Sequence, residues 1–459
     1  MRKGFSLVLF ILAINLASAY IDPGTGGYLV TSFGSYLITF LAIFFAATAA
    51  FLSKTFIIPL KSFFKKYETL LRRLAVVLVI LFFLWFVYSQ VSFQEEVLFD
   101  ESLSGVHIYS ESEVYPGYIL FQGKLMDIQG NVVHEWNSTH LGIIQEDGTY
   151  LAQVSYEKPL FGKYTFDDEI IWEKTSPVIH HEISITPGNT ILTLTKETHE
   201  YHGRLVEFDV ILEYTQAGEL IGNWSTWEHL GYLKQFHQPL ELEKPSNFFI
   251  PEEHKKNTSI WGANYDYYHA NSIRTLPKNK NSDFEMLLGD KMVRPFQEGN
   301  WLFSFRHGSM VFILDKDTKE VVWRITQFDI EGDIQGPHDP TMLPNGNIMI
   351  FDNGRYREWS RLIEIDPFTL EVVWEYKDPD FFTLTRGDAQ VLPNGNVLIV
   401  ESDSGRIFEI NKDKEIVWEY YRPEKYTEEM GGSAEEEIGK RMAIHHAKLY
   451  EKDFIEQFL

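Results

Sequence analysis

The chain of 459 residues contains no cysteine. Disulfides, thiolate catalysis and cysteine-held metals are excluded by that alone, although the compartment is not fixed by it. Positive charge is also scarce: 41 Lys and Arg stand against 65 Asp and Glu, a formal charge of −24. Phosphate backbones need a basic face, so no nucleic-acid partner is expected. Charge of either sign is missing from two long stretches, Pro23 to Ser53 and Leu74 to Phe93.

Those uncharged stretches organise the N-terminal part. Arg2 and Lys3 precede an apolar run, Phe5 to Leu16, and Ala17-Ser18-Ala19 reads as a cleavage site. Residues 1–19 are therefore expected to be a signal peptide, the alternative being an uncleaved first anchor. Tyr28 to Leu52 is long enough to span a bilayer core of about 30 Å as a helix, and Leu74 to Phe93 gives a second span. Between them, residues 54–73 carry Lys54, Lys61, Lys65, Lys66, Arg72 and Arg73 against Glu68. Positive loops stay cytoplasmic. The expectation is a two-helix anchor over 20–93 in the cell membrane, with the remainder on the extracytoplasmic side. Asn-X-Ser/Thr triplets at Asn137, Asn223 and Asn257 are compatible with an exposed outer surface.

From residue 94 onward, short β-rich runs alternate with turns rich in Gly, Asn, Asp and Pro. LPNGNIMIFDNG (343–354) and LPNGNVLIVESDSG (392–405) are offset by 49 residues. Asn-Gly supplies the positive φ that a tight hairpin turn needs. Each copy leads to RLIEIDP or RIFEINK and ends in Val-Trp-Glu-Tyr. HEISITPGNTILTL (181–194) carries the turn in altered form, SMVFILDKDTKEVVW (309–323) the closing half, and KLMDIQGNVVHEW (124–136) and YTFDDEIIWEK (164–174) fragments of it. Closing tryptophans fall at Trp136, Trp172, Trp224 or Trp227, Trp323, Trp374 and Trp418. Repeats of 40–50 residues with about four strands each mark a β-propeller, and the count predicts six blades over 94–423. Residues 225–268 and 277–290 break the rhythm and read as insertions. Residues 424–459 read as a charged helical tail.

In a propeller the innermost strand of each blade lines the central channel, so residues at its start share one space. His338 precedes Asp339 and the LPNGN turn, His181 precedes Glu182 and the TPGN turn, and His269 sits in DYYHANSIRTLP. The last blade has Gly387-Asp388 in the matching place. Arg306 lies in SFRHG, which pairs onward from His269. Three histidines and an arginine around one channel suit a small anion, because local charge rather than net charge decides binding. A three-histidine metal site competes, since zinc and iron both accept imidazoles. Asp339 and Glu182 are placed to orient the imidazoles. His180, His307, His445 and His446 are expected to face solvent or to back the others.

HDPTMLPNGNIMIFDNG, DYYHANSI, SFRHGSMVFILD, the VVWEY closings and the opening GVHIYSESEVYPGYILFQ resemble the arylsulfotransferase family, the aryl-sulfate sulfotransferases. The likeness spans about residues 100–423. It implies a six-bladed propeller that moves a sulfuryl group from a phenolic sulfate ester to a phenol, without nucleotide donor, cofactor or metal. It implies His338 as the nucleophile that carries the group covalently. His181, His269 and Arg306 fall on the family's other channel positions, with Asn271 and Asn353 lining the pocket. The sequence departs from that pattern in its membrane anchor, in the 277–290 insertion and in the TPGN turn. A non-catalytic propeller that binds a ligand or protein partner is the alternative, and a metal-dependent hydrolase or lyase a third.

Overall fold

The computed structural model describes residues 101–138, 141–155, 159–243, 262–427 and 439–459. The expected signal peptide, both expected spans, the basic loop and Asn257 lie outside these residues. Among the described residues no helix is long and apolar enough to cross a membrane. Asn137 and Asn223 are exposed.

Six four-stranded antiparallel blades follow one another along the chain. Blade two comprises Gly142–Ile144, Tyr150–Ser155, Leu160–Tyr164 and Ile170–Thr175. Blade three comprises His180–Ile185, Ile191–Tyr201, Arg204–Tyr214 and Leu220–Ser225. Blade four comprises Ala270–Thr275, Trp301–Phe305, Met310–Leu314 and Val321–Ile325. Blade five comprises His338–Met342, Ile348–Asp352, Arg361–Ile365 and Val372–Tyr376. Blade six comprises Asp388–Val391, Val397–Glu401, Arg406–Ile410 and Ile416–Tyr421. The first strands of blades three to six lie against one another and surround the channel.

Blade one is assembled from both ends of the chain. Gly117–Phe121, Lys124–Asp127 and Val132–Glu135 supply three strands, and Lys448–Glu451 pairs with Gly117–Phe121 as the inner one. The stretch expected as a helical tail is thus partly a closing strand; its one described helix is Lys452–Ile455. Nothing local marks Lys448–Glu451 as a strand, because its partner is far away in sequence. At the other end, Gly105–Tyr109 joins blade six as a fifth, outer strand against Ile416–Tyr421.

Aliphatic side chains from facing sheets fill the spaces between blades. Leu302, Val311 and Ile313 of blade four pack with Ile348, Ile350, Ile363 and Ile365 of blade five. Four of the closing tryptophans peg neighbours together, whereas the indole N–H of Trp224 is buried without a hydrogen-bond partner. The indole N–H of Trp136 donates to the Phe166 carbonyl at 3.0 Å, Trp172 to Gln216 at 3.0 Å, Trp323 to Pro367 at 2.8 Å and Trp418 to Ile128 at 2.7 Å. Each acceptor lies in a turn of the next blade, and the last bond links blade six back to blade one. Each of these four bonds satisfies an indole N–H that packing between blades removes from water.

The 225–268 insertion contributes the helix Leu230–Leu233 and the strand Tyr265–Asp266, which runs parallel to a long hairpin of blade three. The second insertion forms a small hairpin, Met286–Leu288 with Lys291–Val293, between the first two strands of blade four.

Candidate active site

The inner strands bring three of the expected residues into one cluster. The His181 ring lies 5.1 Å from that of His269 and 6.5 Å from that of His338, centroid to centroid. They do not occupy equivalent repeat positions. His181 and His338 lie four residues before the ends of their strands, Ile185 and Met342, but His269 lies six before Thr275 and Asn271 takes the matching place. Left-handed backbone restores the convergence, with φ of 63° at His181 and 55° at His269. Such residues cost of order 1–3 kcal/mol each and persist only where the surroundings impose them. In blade five the left-handed residue is Asp339, φ 51°, just before Pro340. An inner strand is an edge strand, so proline is tolerated there.

His338 is held from both sides. Its Nδ1 lies 2.7 Å from Asn353 Oδ1 and 3.0 Å from the Gly336 carbonyl. Both partners accept, so Nδ1 carries the proton and Nε2 the lone pair. The Arg386 backbone N–H approaches that Nε2 at 3.2 Å. Asn353 is fixed in turn, its amide donating to the carbonyls of Thr383 at 2.9 Å and Arg386 at 2.6 Å. The loop before His338 is tied by Gln335 N–H to Asp352 at 2.8 Å and by Gly336 N–H to Ser309 Oγ at 3.0 Å. Burial, and next the Arg306 guanidinium, hold the His338 imidazole well below its ordinary pKa, so it is neutral.

Both asparagine side chains are engaged by neighbouring groups of the protein. Asn353 is spent on His338 and two carbonyls, and Asn271 donates to Pro337 O at 2.8 Å while accepting from Ser304 Oγ. Both are buried.

His269 Nδ1 donates to Asp266 Oδ2 at 2.6 Å. Burial, then the Lys196 ammonium, bring its pKa down to about 4. His181 and His180 meet Nδ1 to Nδ1 at 2.5 Å and share one proton, and burial first holds both well below the ordinary range. His180 and His307, expected at the surface or behind the site, are both buried. His307 contacts Tyr267 O at 3.3 Å and Glu243 at 3.3 Å.

Arg306 is half-buried and stands apart from the fully buried Arg361, which pairs with Asp352 and Glu375. Among the described residues Arg306 makes no ion pair, and its Nε is buried without a hydrogen-bond partner. Its Cγ lies 3.8 Å from where a Cβ on Gly336 would stand, two residues from His338. Burial, and next the Arg355 guanidinium, bring its pKa down to about 10. It is still a cation at neutral pH, with Glu243 and Asp266 acting on it from beyond ion-pair distance.

Glu182 and Asp339 do not orient the imidazoles. Both pair with Arg274 of blade four, Glu182 at 2.7 Å, and Asp388 of blade six joins at 3.3 Å. This knot ties four inner strands across the channel. Asp266, His269 and His307 offer ligand atoms within 4.8 Å of one another. The carboxylate already faces Lys196 Nζ at 2.6 Å, so a cation occupies that place. Sequence reasoning passed over Asp266, although its place three residues before His269 was a usable signal.

A family model described as Arylsulfotransferase (ASST) matches residues 124–422. No curated protein matches the chain. Among solved structures, a protein of unknown function from Bacteroides caccae is similar at 14% identity and TM-score 0.39, over 72% of this chain and 100% of that one. Virginiamycin B lyase from Staphylococcus aureus is similar at 12% identity and TM-score 0.34, over 69% and 87%. A calcium-binding regucalcin from Agrobacterium tumefaciens is similar at 11% and 0.34, over 67% and 79%. Likeness at this level carries no argument about chemistry.

Proposed function

The chain belongs to the arylsulfotransferase family, and on that premise we propose that it moves a sulfuryl group from an aryl sulfate to a phenol through a sulfo-histidine at His338. The observation that carries the reading is Arg306, a half-buried guanidinium that makes no ion pair among the described residues, beside a neutral histidine whose Nε2 accepts from the Arg386 backbone N–H at 3.2 Å.

In the first half-reaction His338 Nε2 gives up the Arg386 backbone N–H and attacks sulfur, the S–O bond breaks and the electron pair leaves on the phenolate oxygen. Arg306 holds the sulfuryl oxygens through charge-assisted hydrogen bonds. His181 and His269 stabilise the developing phenolate and exchange its proton. In the second half the acceptor oxygen attacks sulfur and the S–N bond breaks, returning the pair to His338. Neutral imidazole is nucleophilic near pH 7, and burial here keeps it neutral well below that. The same reading puts the propeller on the extracytoplasmic side of a membrane, held by Tyr28 to Leu52 and Leu74 to Phe93 with the basic segment 54–73 inside.

The test is the full-length chain with 4-nitrophenyl sulfate, with and without a phenol acceptor, beside His338→Ala. Acceptor-dependent nitrophenol release that vanishes in the variant is expected. Release without acceptor would instead indicate a sulfatase. A folded protein inert toward a broad set of aryl sulfates would favour a propeller that only binds.

A further inference from the structure

We infer that Asp266 is a positioning residue for sulfuryl transfer, acting through His269; the inference rests on the function proposed above. Asp266 lies on the two-residue strand that the insertion lays alongside blade three, opposite Glu207. It is buried, and its Oδ2 accepts both from His269 Nδ1 at 2.6 Å and from Lys196 Nζ at 2.6 Å. Lys196 also donates to Glu207 at 2.8 Å. Asp209 faces the same ammonium and lies near the Ala270 backbone N–H; burial, opposed by Lys196, brings it up to about 7.

A buried carboxylate is costly unless paired and hydrogen-bonded. Burial alone would raise the Asp266 pKa, but Lys196 and then His269 outweigh it and hold the group well below the carboxylate range. It is therefore a permanent anion at a fixed place. Two consequences follow for His269. Its proton is locked on Nδ1, leaving the Nε2 lone pair for a ligand in the channel. An imidazolium formed there would face a carboxylate already in position, so no reorganisation is needed when the proton arrives.

The proton balance then closes over the two half-reactions. When the acceptor attacks, its O–H bond breaks and the proton passes to His269 Nε2. The oxygen bonds to sulfur, and the S–N bond breaks with its pair returning to His338. Between turnovers His269 gives that proton to water, and when the next donor reacts the departing phenolate oxygen takes a proton back from water through the same Nε2. Donor ester and phenol become phenol and product ester, with nothing else consumed. Asp266 never touches substrate; it sets the tautomer and stabilises the charged intermediate form of His269.

The experiment compares kcat/KM for phenyl sulfate and 4-nitrophenyl sulfate, with 1-naphthol as acceptor, in the full-length chain and in Asp266→Asn. A nitrophenolate leaves without a proton, whereas a phenolate needs one. General acid–base assistance contributes about 10²–10⁴-fold where it operates. The expected loss is therefore ~10²-fold for phenyl sulfate and less than ~10-fold for the nitrophenyl ester. Equal losses on both esters would overturn the inference and leave the function standing. A wild-type chain inert toward both esters would overturn both. Because Asp266→Asn leaves Lys196 paired with Glu207 and can destabilise the fold, the same ratio is read in Lys196→Met combined with Asp266→Asn. The wild type supplies a third readout, a strongly downfield Nδ1 proton that disappears in His269→Gln; its absence would overturn the inference without any change at Asp266.

Discussion

Replacing Asn353 by aspartate introduces the residue that accompanies histidine in many hydrolases, yet here it should be worse than alanine. The amide makes three buried hydrogen bonds: Oδ1 accepts from His338 Nδ1, and Nδ2 donates to the carbonyls of Thr383 and Arg386. Two acceptors at one end dictate the amide's orientation. Asn353→Ala removes two donations and leaves the Arg386 carbonyl without its side-chain donor. At about 1 kcal/mol per bond, plus the cost of unsatisfied buried groups, the loss is about 2–4 kcal/mol. Asn353→Asp keeps the acceptor for His338 but turns a carboxylate oxygen toward two carbonyls in a site closed to solvent. An uncompensated buried charge costs about 3–5 kcal/mol. Urea unfolding should therefore rank wild type above Asn353→Ala and Asn353→Asp last. Turnover of 4-nitrophenyl sulfate should fall in both variants, because the His338 tautomer loses its anchor or its loop. An aspartate variant as stable as wild type would refute the argument, since it would mean that the amide nitrogen does not meet those carbonyls.

Three further outcomes are expected. Arg306→Met should lower kcat/KM for aryl sulfates by about 10²–10³-fold, while urea unfolding changes by less than about 1 kcal/mol, because a half-buried guanidinium without an ion pair contributes little to stability; a strongly destabilised variant would refute this. Folded-state depression of the His269 pKa to about 4 contributes stability present above about pH 6.5 and lost as pH falls toward 4. The amount is roughly 3 kcal/mol, and His307, brought down to about 3 mainly by burial, adds in the same direction. Urea midpoints should drop over that window, and His269→Gln should flatten the profile. A chain ending at Ala447 lacks the inner strand of blade one and the Tyr450 hydroxyl that Ile144 N–H donates to at 2.9 Å. It should lose cooperative thermal unfolding rather than merely shift its midpoint.

Blades five and six were readable because their information is local. An Asn-Gly turn, two apolar runs and a closing tryptophan all fall within 49 residues. The same was true of the tryptophan pegs, whose spacing alone suggested six units. Lys448–Glu451 was not readable, since a strand whose partner is Gly117–Phe121 has no neighbouring turn to announce it. The channel histidines were found, but the assumed equivalence holds for His181 and His338 only when counted from the strand ends; in the ladder His180 takes the place of His338. His269 reaches them by a different backbone path, set by a left-handed residue that no composition rule specifies. The carboxylates were assigned by adjacency, Glu182 to His181 and Asp339 to His338. Successive strand residues point to opposite faces, so neighbours in sequence diverge, and Arg274 claims both acids. The groups that orient the imidazoles, Asp266 and Asn353, come from three and fifteen residues away.

The seam in blade one also sets a schedule for biosynthesis. Gly117–Phe121 is translated about 330 residues before the strand that pairs with it. At roughly 5–20 residues per second, the ribosome needs about 15–65 s to cover that distance. Throughout that interval an open strand edge is available to other nascent chains. His181, His269 and His338 are all synthesised within it, before the ring can close. Latent sites for misassociation and the completed channel are thus separated by a single late event. Protection of that edge by chaperones, rather than the intrinsic stability of the finished ring, should govern the yield of this protein in cells.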